Sequence, residues 1–153
     1  MNDTKITIER TSDYEVLSSF FCGVRELDQL IHKKENGLRS FIEDEDNHMY
    51  VVKKEEAPIA LFVEHTALVE TENFNTLAKE IDFIAVRQDL RNQGIGRIIL
   101  EQIEKFAARN NIFLLQVGAF FNKKYSAVGF YEKCGFQLNG PKQGNIQPMI
   151  KEI

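Results

Sequence analysis

Apolar and polar residues alternate at period two in KITIER (5–10), the pattern of a strand with one face turned inward. Alternation, or an apolar run bounded by turn residues, recurs at 48–54 (HMYVVKK), 57–69 (APIALFVEHTALV), 80–87 (EIDFIAVR) and 112–120 (IFLLQVGAF). The segments 48–54 and 57–69 meet at EEAP, which predicts a hairpin. The run 112–120 is apolar at nearly every position, as a central strand buried on both faces requires. Short strands at 136–138 and 146–153 flank the loop NGPKQGN.

Helical spacing appears in four places. Segment 12–20 reads as a short helix capped by Ser12 or Asp13. In 24–42, Leu27, Leu30, Ile31, Leu38, Phe41 and Ile42 recur near period 3.6, with an interruption at Asn36-Gly37. The clearest helix follows residue 94. Ile95, Ile98, Ile99, Ile103, Phe106 and Ala107 form its apolar stripe, and Glu101 and Lys105 pair on its wet face. A fourth helix is expected over 123–134, ended by Gly135 at the first position past the cap. The order is β-α-α-β-β-β-α-β-α-β-β. The strand–helix–strand passage from 80 to 120 requires a parallel crossover. The fold class is therefore α/β (α+β), a mixed twisted sheet with helices on both faces, in a single domain over 1–153.

Composition narrows the functions open to such a fold. Of 153 residues, 43% are hydrophobic and 27% charged, a globular balance. MNDTKITIER is charged from its third residue and does not read as a secretory signal, and IFLLQVGAFF is about half a membrane span. Cys22 and Cys134 make neither a disulfide framework nor a metal site, which points to a reduced, cytoplasmic setting. His32, His48 and His65 lack metal-ligand spacing and are expected at surfaces or edges. The net charge of −4 is unevenly spread. Residues 1–80 hold 9 Lys/Arg against 17 Asp/Glu, and residues 81–153 hold 10 against 6. An anionic ligand is thus better matched to the second half.

That half contains RNQGIGRIIL (91–100), in which two glycines stand where a helix begins. Glycine in a helix costs about 1 kcal/mol relative to alanine, a loss that makes sense if a ligand must approach the backbone closely. The free N–H groups of a helix start suit an anion. A nucleoside-triphosphate loop would need Lys-Ser/Thr after Gly96, and a dinucleotide loop would need glycine at Ile99. Neither fits. What remains is an Arg-x-x-Gly-x-Gly loop, Arg91-Asn92-Gln93-Gly94-Ile95-Gly96. Arg97 adds a cation in the first helical turn, a poor place for one unless an anion lies nearby.

This loop, the strand before it and GFYEKCGF (129–136) together resemble the GNAT superfamily of N-acetyltransferases. The resemblance implies acetyl-coenzyme A as co-substrate and no metal. It also implies that Arg91, Asn92, Gln93, Gly94, Ile95, Gly96 and Arg97 wrap the pyrophosphate. Ile84, Ala85 and Val86 would pair with the pantetheine arm like an added strand. The family places a tyrosine acid in a pattern matched here by Ala127, Tyr131, Gly135 and Phe136. Tyr131 is then both cofactor-binding and the general acid, its phenol protonating the departing thiolate. A core tyrosine is the plainer reading of the same residue. The family often carries Asn seven positions earlier, where Lys124 stands here, so Asn122 takes that role. Cys134 is better explained by packing than as an acetyl-carrying nucleophile.

For the base, period two puts Glu80, Asp82, Ile84 and Val86 on one face of their strand. Glu80 is similar in offset to the carboxylate of histone-type members, and Asp82 is its runner-up. Two carboxylates in an apolar strand cost desolvation unless they line a wet cleft. FFCGVRELDQLI (20–31) is similar to a segment of toxin-type acetyltransferases, which act on aminoacyl-tRNA and are held by a ribbon-helix-helix antitoxin. RNA binding favours a basic excess, and this chain is acidic, with EDED at 43–46. The expected acceptor is therefore a small amine, a polyamine or a peptide amino group. Aminoacyl-tRNA with an antitoxin partner is the alternative, and a non-catalytic coenzyme-binding module the second alternative. No membrane is expected as a partner, and a homodimer stays open.

Overall fold

The computed structural model describes residues 5–11 and 48–153. The helices expected at 12–20 and 24–42, the EDED run and the toxin-like segment at 20–31 lie outside them. The described residues form seven strands: β1 (Ile6–Arg10), β2 (His48–Lys54), β3 (Ala57–Glu70), β4 (Asn75–Val86), β5 (Leu114–Phe120), β6 (Gln137–Leu138) and β7 (Ile146–Glu152). Two α-helices lie among the described residues, α1 (Ile95–Arg109) and α2 (Val128–Lys133). The strand order is β1-β2-β3-β4-β5-β7-β6. β4 and β5 run parallel, as the crossover requires, and β5 and β7 run antiparallel. The mixed sheet and its α/β class agree with the expected fold.

The chain divides into two compact units, one of residues 1–64 and 83–96, the other of 65–82 and 97–153. In the first, β1, β2 and the start of β3 form a meander, with Ile6 opposite Lys54 and Met49 opposite Val63. The β2–β3 turn is Glu55-Glu56, both at positive φ (51° and 68°). Such a two-residue turn matches strand twist, although Asn-Gly is its usual sequence. Ala60, Leu61 and Val63 are fully buried, as the apolar run of β3 predicts, and so is Val52 on β2.

The second unit is built on β5 and β7. Leu115, Val117 and Ala119 are buried on β5, and Met149 faces Val117 from β7. Gly118 is required there by packing, since a Cβ would stand 2.7 Å from Ile146 Cγ2. Ile99, Leu100, Ile103 and Ala107 form the buried side of α1. The stripe is rotated from its expected setting: Phe106 is 42% exposed, and the Arg109 guanidinium lies over its ring at 5.9 Å. Asn111 at φ 58° ends α1. Its N–H reaches Ala108 O and that of Ile112 reaches Ala107 O, the paired bonds of a left-handed cap.

Two expectations need correction. β4 begins at Asn75, five residues before the predicted start. A turn at Thr71–Phe74, with Thr71 N–H donating to Phe74 O, makes NTLAK the return leg of a hairpin. Tertiary pairing overrides its weak strand propensity. Helix α2 is half the predicted length. Asn122 Oδ1 accepts the N–H groups of Lys124 and Tyr125 at 2.8 and 2.7 Å, forming a turn, and Phe121 bridges Ser126. This local side-chain bond competes with helix, so α2 starts only at Val128.

Candidate active site

In the first unit, the route from β4 to α1 is a tight sequence of turns. Arg87 N–H donates to Ile59 O, and residues Gln88–Leu90 form a 3-10 turn. The Arg87 guanidinium holds Asp89 through two bonds of 2.7 Å and keeps the pKa of that carboxyl below its ordinary value. Arg91 Nε donates to Val86 O at 3.2 Å, folding the loop back on the strand end. Thus Arg91 supports the loop, and the Val86 carbonyl already accepts one bond. Ala85 is buried, while Ile84 and Val86 are half-buried.

Asn92 and Gly94 take positive φ, 64° and 81°, on either side of Gln93. Left-handed residues beside right-handed ones turn successive N–H groups to one side, an arrangement suited to anions. No heavy atom lies within 4 Å of where a Gly94 Cβ would stand. Backbone conformation, with open space around it, therefore explains this glycine. Helix α1 starts at Ile95, so its first N–H groups lack intrahelical partners. The loop fits a phosphate-bearing cofactor.

Arg97 has a partner within the protein. Its Nη2 donates to Lys133 O at 3.3 Å, at the C-terminal end of α2. A helix C-terminus carries partial negative charge, so this contact explains a cation in the first turn of α1 without a bound anion. Lys151 reinforces the same end of α2. Its Nζ donates to Cys134 O at 2.7 Å and pairs with Glu104.

These contacts fix Tyr131. Gly135 at φ 95° lets its N–H reach Glu132 O and that of Phe136 reach Tyr131 O, each at 3.0 Å. The two bonds are those of a Schellman cap, and the apolar contact that accompanies it is here Tyr131 against Phe136, 5.4 Å between ring centroids. Phe130 packs edge-on from the other side at 5.1 Å. The spacing Tyr-x-x-x-Gly-Phe is thus a helix-ending motif that aims the tyrosine ring. Tyr131 is 6% exposed, and burial, with lesser contributions from Tyr125 and Cys134, pushes its phenol well above the ordinary value. It is firmly protonated at neutral pH, and the gap between it and an ordinary thiol is wider than for a free phenol. Ala127 immediately precedes α2, and its N–H donates to Phe120 O. Asn122 spends its carbonyl oxygen on the turn.

The two candidate bases lie in the second unit, and the structure brings a histidine to both. His65 Nδ1 is 2.8 Å from Asp82 Oδ2, and its Nε2 is 3.3 Å from Glu80 Oε2. Gln116 Nε2 on β5 donates to the same Glu80 oxygen at 3.2 Å. The side chains of His65, Glu80 and Asp82 are 27%, 36% and 21% exposed. Glu80 and Asp82 share the half-buried parity of β4 while Ile81 and Ala85 are buried, as alternation predicts. His65 and Gln116 escaped the sequence reading. A lone Gln in an apolar strand was a signal for one; only strand register reveals the other. Nor is His48 a bare surface residue, since its Nδ1 meets Glu64 Oε1 at 2.9 Å. Among the described residues no group of His, Cys, Asp or Glu is placed to hold a metal, and no helix is long and apolar enough to cross a membrane.

The family model of an acetyltransferase (GNAT) domain matches residues 45–138. No curated protein matches the chain. Solved structures do. The PaiA N-acetyltransferase of Thermoplasma acidophilum, in complex with coenzyme A, is similar at 16% identity and TM-score 0.72, over 97% of this chain and 99% of that one. A GNAT family acetyltransferase of Elizabethkingia anophelis with acetyl-coenzyme A bound has 18% identity and TM-score 0.67, over 99% and 100%. An aminoglycoside 6'-N-acetyltransferase complexed with coenzyme A has 13% identity and TM-score 0.70, over 95% and 96%. At such identities the likeness is one of fold.

Proposed function

Because the chain belongs to the acetyltransferase (GNAT) domain family, we propose that it moves an acetyl group from acetyl-coenzyme A to a primary amine. The acceptor class is a small amine, a polyamine or a peptide amino group. One observation carries the amine reading. Glu80 is a half-exposed carboxylate whose Oε2 is fixed by Gln116 and faces His65. An amine is an ammonium at neutral pH and must lose a proton before it attacks, and a fixed carboxylate open to solvent can take it. Two of the similar structures are of N-acetyltransferases, which supports the same class.

When bound, acetyl-coenzyme A supplies an acyl group activated as a thioester. In this reading the backbone of 91–96, at the positive end of α1, holds its phosphates. Arg91 and Arg97 support that backbone and the end of α2, and Ile84, Ala85 and Val86 offer main-chain groups to an extended ligand. Asn122 and Ala127 shape the approach to α2. Glu80, with Asp82 second, takes the proton of the attacking amine. Tyr131 keeps its proton against solvent and presents it to the thiolate. Its raised phenol makes it a hydrogen-bond donor to developing charge more than a matched acid.

Release of free thiol from acetyl-coenzyme A, screened over a panel of polyamines, small amines, amino-terminal peptides and aminoacyl-tRNA, tests the reading. Turnover with an amine of the first three groups is expected. Turnover confined to aminoacyl-tRNA, or to none, refutes it.

A further inference from the structure

We propose that His65 is a positioning residue for the proton-accepting carboxylate, and that it selects Glu80 over Asp82 for that task. The proposal rests on the acetyl-transfer reading above. His65 stands on β3 with a carboxylate at each ring nitrogen, Asp82 at 2.8 Å and Glu80 at 3.3 Å. Gln116 donates to the Glu80 oxygen that faces the ring. Asp82 takes the shorter contact and so fixes the ring. Gln116 fixes Glu80 through Oε2, and the ring lies against that same oxygen. Glu80 Oε1 makes no bond among the described residues, and its side chain is the more exposed of the two carboxylates. Oε1 is therefore the oxygen that receives the proton.

Among the described residues, the charged groups facing the ring are Asp82 and Glu80, both on β4; Gln116 on β5 is uncharged. With a neutral ring, the Nδ1–H donates to Asp82 and the Nε2 lone pair faces Glu80 Oε2. Two acceptors at this separation repel. When the substrate ammonium gives up its proton, the N–H bond breaks, its electron pair stays on nitrogen and an O–H bond forms on Glu80. The negative charge facing the Nε2 lone pair falls, so a neutral ring favours uptake. A ring protonated at both nitrogens donates to both carboxylates and holds Glu80 ionised, which opposes uptake. The protonation of His65 thus sets how readily Glu80 accepts a proton.

Two measurements test this. The first follows the His65 Cε1–H signal by NMR against pH in the protein without coenzyme, in the wild type, E80Q and D82N. Each variant removes an anion that favours the charged ring, so the titration midpoint falls in both. An unchanged midpoint in both overturns the clamp, whatever the protein acetylates. The second measures kcat against pH for wild type and H65Q, whose amide fills the site without titrating; H65N replaces it if H65Q does not fold. The acid limb of kcat should change shape and kcat fall about tenfold or more, with KM for acetyl-coenzyme A within about twofold. E80Q should lose more turnover than D82N. A wild-type pH profile in H65Q, or the reverse order of the carboxylate variants, overturns the proposal. Absence of amine acetylation by the wild type refutes the reading beneath it, while the NMR titration still judges the clamp.

Discussion

Replacing Gly135 by alanine separates two costs at the cap that aims Tyr131. The residue sits at φ 95°, and an added Cβ meets Lys151 Cε at 3.1 Å and Nζ at 3.3 Å. A side chain in left-handed backbone costs about 1–2 kcal/mol. Lys151 is flexible and can withdraw, but doing so weakens its bond to Cys134 O and its pair with Glu104. Lys151 and Glu104 are 23% and 27% exposed, so about 1 kcal/mol is a fair loss for that contact. The sum is about 2–3 kcal/mol, equivalent to a fall in Tm of roughly 4–12 °C at this chain length. Gly140→Ala is the control, because Gly140 has φ 93° but nothing within 4 Å of a Cβ. Urea denaturation should place G135A about 1 kcal/mol below G140A at equal slope. In a K151M background the excess should vanish. A G135A no costlier than G140A, or an excess that survives K151M, refutes the account of how Lys151 and the cap cooperate.

Tyr131→Phe keeps the ring against Phe130 and Phe136 and removes only the donor. Turnover should fall on the order of 100-fold with coenzyme affinity little changed, and unaltered turnover would assign the residue to packing alone. Burial raises the phenols of Tyr50 and Tyr131 above 10, Glu64 assisting at Tyr50. Their stabilisation is complete below the unfolded pKa and is lost as pH climbs toward the folded values. Denaturation between about pH 9 and pH 11 should therefore show declining stability, with a shallower decline in Tyr131→Phe. Gly96→Val should leave a folded protein that loses coenzyme stabilisation, worth about 2.7 kcal/mol at a hundred times the dissociation constant. An unchanged thermal shift would count against the loop. Arg97→Met should destabilise the coenzyme-free protein by about 0.5–1 kcal/mol through the lost bond to Lys133 O; equal stability would return Arg97 to a purely ligand-directed role.

What could be read in advance was local chemistry with a fixed offset. The Glu55-Glu56 hairpin, the crossover through 91–96 and Gly135 past the end of a helix each depend on residues within a few positions of one another. The misses share a different cause. NTLAK looks like no strand until Thr71–Phe74 turns it against β3, and α2 looks twice as long until Asn122 captures two N–H groups. Nor does anything in the sequence announce that Lys133 O lies within reach of Arg97. His65 is the largest miss. Its partners stand 15 and 17 positions away, and only the pairing of three strands brings a histidine, two carboxylates and a glutamine onto one face.

The strand order bears on how the molecule is made. β2, β3 and β4 pair in sequence order through short turns, so each of these two hairpins can close as soon as it is synthesised. The first compact unit is complete in sequence by Gly96. The second is not, because β7 lies between β5 and β6. Its interior strand is the one the ribosome delivers after both of its partners. Until Ile146–Glu152 arrives, β5 and β6 both present unsatisfied edges, and such edges invite pairing with other chains. The nascent chain is thus most exposed to aggregation in the interval between synthesis of β6 and arrival of β7.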